Sequence, residues 1–176
     1  MRKLTTLSLC LLFAATVATA EETAKKKPLS PPATTEAKIG GRNITVKYSA
    51  PSKRGRVIMG QLVPYNQIWR TGANSATTLT TDGDLMLGSL HVPAGSYTLY
   101  TIPGEKDWTL IVNKQTGQWG TEYDAAQDLG RVKMTAKPLK NTVETFMIGL
   151  NPSGAKSGVL SLTWENTTAT VPVVVH

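Results

Sequence analysis

Cysteine and histidine are nearly absent from this chain. Its one cysteine, Cys10, lies in the apolar N-terminal stretch, and its histidines are His91 and the terminal His176. Residues beyond 20 therefore form no disulfide, and stability has to come from a packed core. A Ser-His-Asp or Cys-His catalytic machine would rest on His91 alone, which precedes the turn Val92-Pro93-Ala94-Gly95 and reads as an exposed strand-end residue. Catalytic zinc usually takes three protein ligands, mostly histidine, so no metal site is expected. Also missing are the GxSxG elbow, the Walker loop, HExxH, CxxC and the Rossmann glycine pattern, and no cofactor is expected. No apolar run reaches the roughly 20 residues of a transmembrane helix.

Three segments follow from composition. Residues 1–20 read as a secretory signal, with Arg2 and Lys3 at the charged end, an apolar run, and Ala18-Thr19-Ala20 as the cleavage site. Leu9 before Cys10, and the little apolar chain ahead of it, argue against lipidation. Export to the periplasm or the exterior follows as an expectation. Residues 21–33 carry Lys25-Lys26-Lys27 and several prolines without apolar periodicity, which reads as a flexible linker. Residues 34–176 read as one domain, since the 156 residues left after removing 20 from 176 suffice for one core. Without Arg2 and Lys3, the 19 basic residues become 17 against 12 acidic, a net of +5. That excess favours anionic partners such as phosphates, acidic glycans or membrane surfaces, and because it is spread along the chain rather than blocked it argues against nucleic acid.

From residue 34 onward the apolar period is two, with Gly, Pro, Asn and Asp between short runs rich in Thr and Val. This predicts an all-β protein: an antiparallel β-sandwich, immunoglobulin-like or jelly-roll-like, of about ten strands. Gly40-Gly41 is expected to join a hairpin, and Asp82-Gly83 another. Residues 122–129 are the one expected short helical turn. Trp108, Trp119 and Trp164 are expected in the core.

Residues 47–81 concentrate the unusual side chains. Arg54, Gly55 and Arg56 follow Ser52 and Lys53, and Trp69-Arg70-Thr71-Gly72-Ala73-Asn74 sets a fork, a hydroxyl and an amide beside an indole. A guanidinium fork fits carboxylate or phosphate bidentately. The candidate ligand-binding residues are therefore Arg54, Arg56, Tyr65, Trp69, Arg70, Thr71 and Asn74, facing a small anionic or carbohydrate ligand. The same residues admit a structural role, in which Arg70 pairs with an acid, Asn74 satisfies loop backbone groups and Trp69 is core. Asp124 and Asp128, near Glu122, offer a carboxylate-based hydrolase or isomerase as an alternative. An envelope interaction module is a further alternative. Asp82 and Asp84 are read as turn residues rather than cation ligands.

With Tyr48-Ser49-Ala50-Pro51, Arg54-Gly55-Arg56, Leu62-Val63-Pro64-Tyr65, Ile68-Trp69-Arg70-Thr71-Gly72-Ala73-Asn74, Pro93-Ala94-Gly95-Ser96-Tyr97, Ile102-Pro103-Gly104 and Trp119-Gly120 in view, the chain resembles a family of exported bacterial proteins known as domain of unknown function twenty-nine eleven. The resemblance extends from about Pro31 to the C-terminus and implies an exported β-rich domain. It implies no activity, and so assigns no catalytic residue.

Overall fold

A computed structural model describes residues 28–176; the expected signal segment and residues 21–27 of the expected linker lie outside the described residues. The regular structure of the described chain is antiparallel β apart from one 3₁₀ turn, Ala125–Gln127, capped by the Asp124 carboxylate on the Ala126 amide. The strands are β1 (Pro32–Ile39), β2 (Arg42–Ser49), β3 (Thr77–Thr81), β4 (Leu85–Leu87), β5 (Leu90–Val92), β6 (Gly95–Ile102), β7 (Asp107–Asn113), β8 (Asp128–Pro152) and β9 (Ser157–Val175). They form one sheet in the order β1-β2-β3-β6-β7-β8-β9-β4-β5. β1 opens at Pro32, within the segment expected as linker.

The first hairpin forms where expected. Gly40 and Gly41 have φ of 56° and 82°, the left-handed pair that matches the twist of a two-residue turn, and Ile39 faces Arg42 across it. Alternation then buries Ile44 and Val46 on the inner face of β2.

Long strands β8 and β9 give the sheet its shape. They run 25 and 19 residues, well past the usual ~3–10. Their pairing slips between Pro138 and Val143 and again between Val143 and Met147, and such bulges bend a strand. Before the bend β8 pairs with β7; beyond it, β8 meets the chain leaving β2. The Phe146 amide donates to the Pro51 carbonyl at 2.8 Å, the Lys53 amide to the Glu144 carbonyl at 2.7 Å, and the Ile148 amide to the Tyr48 hydroxyl at 3.1 Å. β2 and β8 lie far apart in the sheet order, so these bonds require the sheet to curl over on itself. One apolar core results, with Val46, Leu79, Leu99, Leu110, Ile148, Leu162 and Val173 all at its centre.

Three local expectations change. Residues 131–137 and 142–150 merge into β8, and 158–164 and 167–175 into β9, while Gly88 in a left-handed turn splits 84–89 from β5; nine strands replace ten. Asp82-Gly83 is no hairpin. Both edges of β3 are taken by β2 and β6, so the chain crosses to pair β4 with β9, Leu85 opposite Val175. Asp82 is held instead by the Asn43 side chain and amide, which lower its pKa below the ordinary carboxylate range. Trp108 and Trp164 are core residues, but Trp119 is 49% exposed, because residues 114–122 form a loop rather than a strand of the inner face. Among the described residues no helix is long and apolar enough to cross a membrane.

Candidate functional site

The chain between β2 and β3, residues 50–76, has almost no regular structure, yet it is firmly held. Ile58 and Val63 are buried, and the Val63 amide returns to the Ile58 carbonyl at 2.9 Å. Glu165 on β9 pins this loop. Its carboxylate accepts the Ile58 and Met59 amides at 3.1–3.2 Å and faces Lys53 Nζ at 3.4 Å. Burial opposes ionisation of Glu165, but the two amides and Lys53 outweigh it and hold the carboxyl below its usual pKa. Sequence reasoning missed Glu165. The available signal was one acid breaking an alternating strand, directly after Trp164.

Further along, Trp69 is clipped to β6 by two backbone bonds with Thr101, at 2.7 and 2.9 Å. Its ring stacks on Trp164 with centroids 5.8 Å apart, and meets Phe146 and Trp108 edge-on at 5.0 and 6.3 Å. Thr71 follows at φ 54°, an uncommon conformation for a β-branched residue, secured by Thr77 Oγ1 on its carbonyl at 2.8 Å and by the Thr101 hydroxyl at 3.1 Å. The turn throws Arg70 outward and Thr71 inward.

These segments line a cleft of about 600 Å³. Arg54, Arg56, Trp69, Arg70 and Asn74 all border it, joined by Leu29 and Ser30 from the N-terminal side and Tyr100, Gly120, Thr121 and Tyr123 from elsewhere in the chain. Two expected residues do not border it: Tyr65 packs over Gly60, and Thr71 is fully buried behind the surface. Among the described residues no Asp or Glu lines the cleft.

The three arginines differ in how their donors are used. Arg56 spends Nε on the Lys53 carbonyl at 2.9 Å and an Nη on the Ser52 carbonyl at 2.7 Å. Arg54 donates an Nη to the Leu29 carbonyl, and its own amide to Glu144 at 2.7 Å. Arg70 has only a long bond, 3.4 Å from Nε to the Gly72 carbonyl, and among the described residues no carboxylate pairs with it. Gly120 makes room for it: a Cβ there would stand 2.7 Å from Arg70 Cδ and 2.7 Å from the Asn74 carbonyl oxygen. Asn74, at φ 58°, uses that carbonyl to accept the Gly120 amide at 3.0 Å and donates its side chain to the Ser30 carbonyl at 3.4 Å.

Tyr100 and Tyr123 meet edge to face at 4.9 Å and form one wall. Burial pushes both hydroxyls above the ordinary tyrosine pKa, and a hydrogen bond to Asp128 pushes Tyr123 further. Asp124 and Asp128 lie outside the lining. Asp124 caps the 3₁₀ turn, and Asp128 is bound by Tyr123, Arg131 and Asn113. His91 is exposed beside Asp84, its Nε2 3.1 Å from the carboxylate. Among the described residues no three His, Cys, Asp or Glu side chains gather as metal ligands.

Fold and cleft together define an antiparallel all-β protein whose curled sheet carries an arginine-lined cleft without an acid among the described residues. The profile of a family described as protein of unknown function, DUF2911, matches residues 30–173, and the chain belongs to that family. No curated protein and no solved structure matches it.

Proposed function

We propose that this is an exported binding protein whose cleft takes a small anionic ligand, with Arg70 as the principal anion-binding group and Asn74 beside it. The observation that carries this reading is the composition of the cleft: among the described residues it is lined by three arginines and no acid, and the Arg70 fork lacks a counter-ion. A guanidinium left without a carboxylate partner is a ready bidentate site for carboxylate or phosphate. The volume, about 600 Å³, lies in the range of small-molecule pockets. Trp69 serves as the floor.

Calorimetric titration of the purified protein with inorganic phosphate, glucuronate and short carboxylates tests the reading. Binding is expected for at least one of these anions, weakened about 10- to 100-fold by Arg70→Ala, the effect of losing hydrogen bonds to a charged group. Absence of binding to every anion, or equal binding by Arg70→Ala, overturns it.

A further inference from the structure

The cleft is not uniformly polar. Leu29, Leu62 and Ile68 border it at 69%, 47% and 43% exposure, although each is a large aliphatic side chain. A single exposed leucine needs no explanation, but three in the mouth of one cleft form a surface that water covers poorly. Trp69, the aromatic that would stack on a sugar ring, already has Trp164 against one face and Phe146 and Trp108 at its flanks. The wettable apolar area is therefore mostly aliphatic. On the polar side, Arg70 is the one lining arginine with neither terminal nitrogen bonded to a described residue, whereas Arg54 and Arg56 each commit one to a main-chain carbonyl.

We infer that the ligand is a free amphipathic anion: one carboxylate or phosphate head on Arg70, and an aliphatic or aryl body lying on Leu29, Leu62 and Ile68. This rests on the anion-binding reading above and narrows it from anions at large to those with an apolar tail. The head supplies orientation through charge-assisted bonds, and the body supplies affinity by taking apolar surface out of water. A hydrophilic sugar acid would satisfy the arginine but leave the aliphatic mouth wet.

The probes are acetate, butanoate, hexanoate and octanoate, with glucuronate, inorganic phosphate and neutral octanol as comparators and anionic phospholipid vesicles as a separate arm. Burial of each methylene is worth about 0.8 kcal/mol, so affinity is expected to rise about three- to fourfold per methylene along the alkanoates. Octanoate is expected to exceed both glucuronate and octanol by more than tenfold. Leu62→Asn with Ile68→Asn should flatten the series while leaving acetate unchanged, and Arg70→Ala should weaken every anion and leave octanol unchanged. Both aliphatic positions are exposed, and an unaltered unfolding midpoint would show that the variant is folded. A flat series with intact glucuronate or phosphate binding overturns the amphipathic inference and leaves the anion reading standing. No binding of any anion overturns both. Capture by vesicles without binding of monomeric octanoate overturns the free ligand in favour of a lipid surface.

Discussion

Two arginines flank the same loop and live under opposite conditions. Arg131 directs Nε and an Nη to Asp128 at 3.0 and 2.9 Å, and the same Nη to the Tyr123 hydroxyl at 2.8 Å. Asp128 uses its other oxygen on Asn113 Nδ2 at 2.9 Å, so the circuit closes within the chain. The hydrogen bonds from Arg131 to Asp128 raise the guanidinium's own pKa further. Arg70, lying against Gly120 three residues before Tyr123, has no such circuit among the described residues. A charge with its counter-ion in the chain works for the fold. Arg70 has no counter-ion among the described residues, and the proposed anion would supply it.

Removing the ring stacked on Trp69 should have the largest effect. Trp164→Ala deletes a fully buried indole that stacks on Trp69 and donates to the Glu144 carbonyl at 3.1 Å, and it should lower unfolding free energy by about 3–5 kcal/mol in urea titration. Asp128→Ala breaks the closed circuit at its centre, removing the acceptor shared by Asn113, Tyr123 and Arg131. A loss of about 1–3 kcal/mol is expected, and a loss near zero would erase the contrast between the two corners.

Glu165→Gln is expected to lose about 1 kcal/mol at neutral pH. The wild-type carboxyl has a lowered pKa in the folded state, so its stabilisation is complete above the ordinary carboxylate range and is lost as pH falls below that range through the lowered folded value. Wild type and variant should therefore converge in acid, and urea midpoints at a series of pH values check this. The smallest effect is expected from Arg70→Ala, within about 0.5 kcal/mol of wild type, as for side chains without a structural partner. A loss of several kcal/mol there would make Arg70 a strut and end the comparison.

What the sequence exposed and what it hid divide along contact distance. Gly40-Gly41 is a local signal: two residues that accept positive φ between alternating runs state their own turn. Asp82-Gly83 carries the same local signal, yet the partner of β4 is the C-terminal strand, and pairing at that separation overrode the turn. The arginine side of the cleft was legible because Arg54, Arg56, Trp69, Arg70 and Asn74 are near neighbours in the chain. Its opposite wall was not, since Leu29 arrives through the pairing of β1 with β2, and Gly120, with Thr121 and Tyr123 after it, through its amide on the Asn74 carbonyl, partners distant in the chain. Glu165 illustrates the same limit. An isolated acid in β9 gives no hint that two amides of a loop more than a hundred residues away will meet it. Tyr65 failed in the other direction, close in sequence but turned aside onto Gly60.

The tryptophans beneath the cleft form an optical assembly as well as a floor. Trp69 and Trp164, 5.8 Å apart and within 19° of parallel, are close enough for their excited states to couple, with Trp108 adjoining. Of the three, Trp69 and Trp164 border the cleft. Displacing water from the half-buried Trp69 changes the polarity that its emission senses, and any tilt of one ring against the other alters the near-ultraviolet dichroism of the pair. The molecule thus carries, without dye or label, a spectroscopic gauge built into the base of its own cleft.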